Sequence, residues 1–204
     1  MPSPDTRTQL LDAAEHLFAE HGFRGTSIRA ITSRAGANLA AVGYHFGSKV
    51  ELLHAVIRRV IEPITAAQSA GLDRLLARTP DPTVGDLVEA FAGPMFDGML
   101  AGDETGARRS RMIVAILSDP AEEMRSWTGA TEDAVHERYV AEFARARPEL
   151  PAPELFFRIR GMLAVTAVDR VDLYNRSAPV AEDAARRWAV TFLTAAMSAP
   201  PTEA

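Results

Sequence analysis

The stretch Thr26 to Glu51, TSIRAITSRAGANLAAVGYHFGSKVE, constrains the fold more than any other part of the chain. Gly36 separates two short runs of helical character, and Gly47 closes the second. Glycine admits the left-handed backbone that a tight turn between helices commonly needs. Ser27 is placed to cap a helix over about 27–35, with Ile28 and Ile31 facing inward. A second short helix follows over about 39–46. Ser48-Lys49-Val50-Glu51 then matches a capping box that opens a long helix.

Helical periodicity extends over the whole chain, and no convincing alternating strand interrupts it. Residues 6–21 place Leu10, Ala13, Ala14, Leu17, Phe18 and His21 on one face, and Gly22 follows as a stop signal. Pro63 lies inside the long fourth helix and is predicted to kink or interrupt it. After the break RTPDP at 78–82, helices are predicted at about 83–100, 105–118, 121–146, 152–175 and 179–197. The last has the clearest pattern, with Ala181, Ala184, Ala185, Trp188, Ala189, Phe192, Leu193 and Ala196 at amphipathic spacing. The one before it carries Leu155, Phe156, Ile159, Met162, Leu163 and Val165. The expected fold is all-α, with a three-helix head at 1–50 and a helical body at 51–204.

An apolar content of 47% is ample for a core, and the absence of cysteine excludes disulfides and thiolate chemistry. The N-terminus MPSPDTRTQ has no apolar run of signal-peptide type. No segment approaches the roughly 18 apolar residues of a membrane span, so a cytoplasmic protein without a membrane partner is expected. Charge is uneven. Residues 1–60 hold seven basic and five acidic side chains, so this part is positive although the chain carries −5 overall. A mildly basic head on an acidic body suits nucleic-acid binding by the head. Arg58 and Arg59 are expected at the solvated surface of the fourth helix.

Enzyme signatures are missing. The five histidines form no H-E-x-x-H pair, and there is no G-x-S-x-G elbow, P-loop or dinucleotide-binding glycine pattern. Neither metal nor cofactor is expected. His16 and Glu20 read as an ordinary i,i+4 pair.

The Thr26–Glu51 stretch resembles the DNA-binding region of the TetR family of bacterial regulators. The resemblance lies in Ile31…Ala35-Gly36, in Tyr44-His45-Phe46 and in Gly47-Ser48-Lys49-Val50-Glu51-Leu52-Leu53, and it covers residues 6–60. It implies a helix-turn-helix whose recognition helix enters the major groove. Thr26 and Ser27 would bring hydroxyls and free N–H groups to phosphate. Lys49 stands at a helix N-terminus, where the dipole disfavours a cation, and the family uses this lysine on a phosphate. Tyr44 would add a hydroxyl clamp. Asn38, Leu39, Ala40 and Ala41, helped by Arg29, would read bases; His45 reads as a backbone-contacting or packing residue. Gly43 departs from the pattern by removing the asparagine that precedes the tyrosine in a similar, fatty-acid-responsive subgroup. It costs about 1 kcal/mol of helix propensity.

For the body, the resemblance implies a homodimer on a palindromic operator, with the last two helices pairing across the two-fold axis. It implies a repressor released by a small apolar effector, with a fatty acid or acyl-CoA first and a drug-like aromatic second. Met95, Phe96, Met99, Met112, Phe156 and Met162, with Phe157 and Trp127 in the same apolar set, are either plain core or a pliable ligand lining. Arg109, beside Arg108 and Arg111, is a candidate for an anionic head group. The alternative is a DNA-bound adaptor of the same fold with no effector.

Overall fold

The computed structural model describes residues 5–99, 104–125, 130–168 and 182–202. Among them are ten helices: α1 (Thr6–Gly25), α2 (Ile28–Arg34), α3 (Ala40–Phe46), α4 (Lys49–Arg78), α5 (Val84–Met99), α6 (Glu104–Ser118), α7 (Glu122–Arg125), α8 (Ala130–Ala146), α9 (Ala152–Val168) and α10 (Glu182–Ser198). No strand occurs among the described residues, as the periodicity predicts. Of the single helix expected over 121–146, α7 and α8 are described, and 126–129 lie outside the described residues. The expected ends at 100, 169–175 and 179–181, and Trp127, lie outside the described residues.

The chain divides into two compact units. The first comprises 1–61 and 103–128, the second 62–102 and 129–204. The head expected at 1–50 therefore forms part of a larger unit that also takes in the start of α4 and all of α6 and α7.

In the first unit, Asp5 caps α1 by accepting the Thr8 N–H at 2.7 Å, and this bond holds its carboxyl below the usual range. The buried stripe of α1, with Leu10, Ala14 and Phe18 fully covered, packs within a core that includes Ile31, Val42, Leu53 and Met112. A charge lies within this unit. Glu15 is 2% exposed. Its carboxylate accepts Arg59 Nε at 3.1 Å, Arg59 Nη2, and Arg108 Nε at 2.9 Å. Arg59 also donates to Asp12 at 2.8 Å. Arg59 is thus no free surface residue: a carboxylate removed from water needs such donors.

Pro63 does not interrupt α4, which runs from Lys49 to Arg78. In the second unit, α5 also contains a proline, Pro94. Lacking an N–H, Pro94 leaves the carbonyl four residues back, that of Ala90, without its helical donor. The Tyr139 hydroxyl of α8 lies 2.8 Å from that oxygen and 2.9 Å from the Gln68 carbonyl. Tyr139 is fully buried, stacks edge-on to Phe91, and has its pKa pushed upward by burial. Removing that hydroxyl leaves buried acceptors short of a donor. We therefore expect Tyr139→Phe to lower unfolding free energy by about 1–3 kcal/mol in denaturant titration, more than a surface change would.

The C-terminal end of α10 is closed by two arginines. Arg147 donates to the Met197 carbonyl, and to that of Ala199 at 2.9 Å. Arg158 donates to Ala196 at 3.0 Å, Ala199 at 2.7 Å and Pro200 at 2.8 Å. Cations and donors at this end satisfy the orphan carbonyls and complement the helix dipole. Ala189, Leu193 and Met197 turn inward from α10, against a core built by Leu72, Phe96, Phe143 and Ile159. Trp188 and Phe192 do not, being 63% and 59% exposed.

Candidate nucleic-acid interface

α2 and α3 are joined through Gly36, whose φ of 64° is the left-handed value that the turn requires. Ser27 caps α2: its hydroxyl oxygen accepts the Ala30 N–H at 3.1 Å, leaving its own O–H to donate. Ile31 is buried, and so are Ala41 and Val42 of α3, which fix both short helices on α1. Ser48 caps α4 by accepting the Glu51 N–H at 3.1 Å.

This packing sorts the candidate DNA-binding residues. Ser27, Arg29, Asn38, Leu39, Ala40 and Tyr44 are exposed, Leu39 by 62% and Tyr44 by 86%. His45 is half-buried, with its ring edge-on to Tyr44 at 4.9 Å. The Arg7 guanidinium lies 5.1 Å from the centre of the Phe46 ring at the end of α3, a placement with no local signal in the sequence. Gly43 is exposed, and a Cβ there would meet nothing within 4 Å.

Three expected contacts have other placements. Ala41 is 8% exposed and faces the core, because the period of α3 that turns Ala40 outward turns its neighbour in. Thr26 is 3% exposed, and its hydroxyl lies 2.8 Å from the Gly22 carbonyl and 3.0 Å from that of Leu17. Lys49 is half-buried. Its ammonium donates to the Phe23 carbonyl at 2.5 Å and sits 4.1 Å over the Phe23 ring. Desolvation lowers its pKa, opposed by the charge of Glu123.

The candidate effector residues divide between the units. In the second, Met95, Phe96 and Met162 are buried, and Met95 Sδ lies 3.2 Å from the Thr166 hydroxyl. Met112 is buried in the first unit, where Arg109 is half-exposed. The Met99 side chain lies outside the described set. Phe156 is not interior: it is 48% exposed, since Leu155, Ile159 and Met162 take the buried stripe of α9 and leave it beside Phe157, 77% exposed. Arg108, engaged with Glu15, is not free for an anionic head group.

Two short helices hinged at glycine, based on longer helices and bearing outward polar and aromatic side chains, form a helix-turn-helix unit. Residues 10–56 match the family of bacterial regulatory proteins of tetR type, and residues 89–196, just over half the chain, match the tetracyclin repressor-like C-terminal domain. The chain belongs to the TetR family of transcriptional regulators, whose members are non-enzymatic DNA-binding proteins. It is 32% identical over 119 residues to the regulatory protein RaaS of Mycobacterium tuberculosis, covering 56% of this chain and 53% of that protein. It is 26% identical over 207 residues to the transcriptional activator FasR of Mycolicibacterium smegmatis, covering 98% of this chain and 87% of that one. A tetR family regulator from Shewanella sp. PV-4 shares the fold, with a TM-score of 0.61, 16% identity and coverage of 95% and 94%.

Proposed function

We propose that this chain acts in the cytoplasm as a homodimeric repressor that holds a palindromic operator and lets it go on binding a small apolar molecule. The observation that carries the DNA contact is the outward row of Ser27, Arg29, Asn38, Leu39, Ala40 and Tyr44, on helices whose other faces are buried. Asn38 and Arg29 have the donors to discriminate base edges, and Leu39 and Ala40 suit thymine methyls. Ser27 and Tyr44 have hydroxyls for phosphate, and Lys49 at the start of α4 has a cation for it. Thr26 and Ala41 serve the site by packing. The recognition helix has few donors, so phosphate contacts and DNA shape supply much of the binding.

No described helix is long and apolar enough to cross a membrane. Met95, Phe96 and Met162 give the second unit an interior of adaptable side chains that suits an apolar guest. An acyl chain, as fatty acid or acyl-CoA, is the first effector to try; stabilisation in a thermal-shift panel by aromatic compounds but not by acyl-CoA would select the drug-like class. FasR is named an activator, so a transcription assay on the selected operator reads the sign of control.

Selection from a random duplex library should return an inverted repeat whose half-sites lie about 10 base pairs apart or a multiple of that. On that operator, Lys49→Ala with Tyr44→Phe should weaken binding by about ten- to a hundred-fold and flatten the salt dependence by about one unit of slope, for the one cation removed. Equal affinity and slope in the variant and the parent would refute the clamp.

A further inference from the structure

Lys49 is the chain's sole lysine, and in the structure its ammonium is tied to the protein itself. The tie runs through one residue, Phe23. At Gly22 the backbone of α1 leaves helical geometry, with φ 66° and ψ 178°. That conformation is open essentially to glycine alone. It turns the Phe23 N–H toward Asp119, at the end of α6, whose Oδ2 accepts it at 3.0 Å. The fit is close: a Cβ at Gly22 would stand 2.7 Å from the same oxygen. Asp119 is held in turn by the Ala121 N–H, which donates to its other oxygen at 2.8 Å. The Phe23 carbonyl, which belongs to the next peptide, accepts Lys49, and the Phe23 ring lies under its charge. Glu123 of α7 supplies the nearby negative charge, and its Oε2 is buried without a hydrogen-bond partner.

The geometry points to a stored state of the DNA clamp: Asp119, at the α6–α7 corner, holds the Phe23 backbone whose carbonyl binds the Lys49 ammonium, with the charge of Glu123 adding attraction, and Lys49 meets phosphate only when this hold opens. This rests on the DNA-holding role proposed above. Asp119 and Glu123 are positioning residues, since neither needs to touch DNA. Carbonyl, ring and carboxylate together compete with phosphate for one cation, and the competition weakens DNA binding by whatever it costs to free the lysine. A shift of α6 or α7 would then be read directly as clamp availability.

The test uses the full chain, and a mixed-sequence duplex of about 30 base pairs, three helical turns. Asp119→Ala should tighten duplex binding about five-fold, the lower end of ordinary coupling between sites, and the gain should vanish when Lys49→Ala is added. A second readout needs no DNA. Labelling with 13C-lysine gives a single Cε resonance whose pH titration reports Lys49 alone. Asp119→Ala should move that titration up toward the ordinary lysine value, and Glu123→Gln should move it further down by removing the attracting carboxylate. Loss of folding would move both upward, so opposite shifts separate the specific hold from collapse. Wild-type protein that ignores the duplex overturns the DNA reading and this inference with it. Wild type that binds through Lys49 while Asp119→Ala binds no tighter, or titrations that shift in the same direction, overturns the inference alone.

Discussion

Trp188→Glu with Phe192→Glu should convert the protein from a dimer to a monomer of 22.1 kDa in light scattering, and should cost about 10²–10⁴ in operator affinity. The two side chains lie four residues apart on α10, so they share a face, and both stand in water in the single chain. Phe156 and Phe157 add further exposed aromatic surface on α9, which packs with α10 in the same unit. Soluble monomers seldom leave so much aromatic surface uncovered, and such patches mark interfaces. A ring of this size buries about 150–250 Å² on contact, worth several kcal/mol at about 25 cal/mol per Å². Two-fold symmetry presents each substitution twice, placing four carboxylates in an apolar seam. The monomer should remain folded, because α10 docks through Ala189, Leu193 and Met197, and through Arg186 paired with Asp97 at 2.6 Å and with Glu89. A folded variant that still runs as a dimer would place the interface elsewhere. One whose operator affinity survives monomerisation would remove the need for paired heads.

α10 also marks the limit of periodicity as evidence. Its apolar positions are helical as expected, but the amphipathic spacing puts Trp188, Ala189, Phe192 and Leu193 on one face. In the structure they are two, an inner line at 189, 193 and 197 and an outer line at 188 and 192. Hydrophobicity reports that a side chain avoids water, not whether its own chain or another covers it. Phe156 departs from its predicted interior place for the same reason. The turns were easier to locate. Gly22, Gly36 and Gly47 all have positive φ, and a backbone requirement of this kind acts on the residue itself rather than on distant partners.

The candidate site was readable in kind but not atom by atom. Resemblance implies DNA contacts by Thr26, Lys49 and Ala41. Which lone pair or proton each has to offer depends on neighbours far along the chain. The Thr26 hydroxyl turns back on Leu17 and Gly22, and the ammonium of Lys49 finds a carbonyl 26 residues away. Asp119, 96 residues from the N–H it accepts, leaves no local pattern to recognise. Arg59 looked like surface because its partners, Asp12 and Glu15, belong to another helix.

Glu15 is the position where one substitution should damage the first unit most. Its carboxylate is 2% exposed and joins α1 to α4 through Arg59 and to α6 through Arg108. Removing one member of a buried ionic group costs about 3–5 kcal/mol, because the charges left behind lose their counterion without regaining full hydration. Here the arginine side chains keep 29% and 21% of their exposure, so water can reach the orphaned guanidinium groups and the lower end, about 3 kcal/mol, applies to Glu15→Ala. For a chain of this size that is a fall in Tm of about 6–12 °C. Arg108→Met should cost less, since Arg59 would still satisfy the carboxylate. The double variant Glu15→Leu with Arg108→Met should recover part of the loss by removing charges in opposite pairs. Two single variants with additive effects would mean that Glu15 and Arg108 do not act on each other across the α1–α6 contact. A melting temperature unmoved by Glu15→Ala would mean that the carboxylate contributes nothing net to holding these helices together.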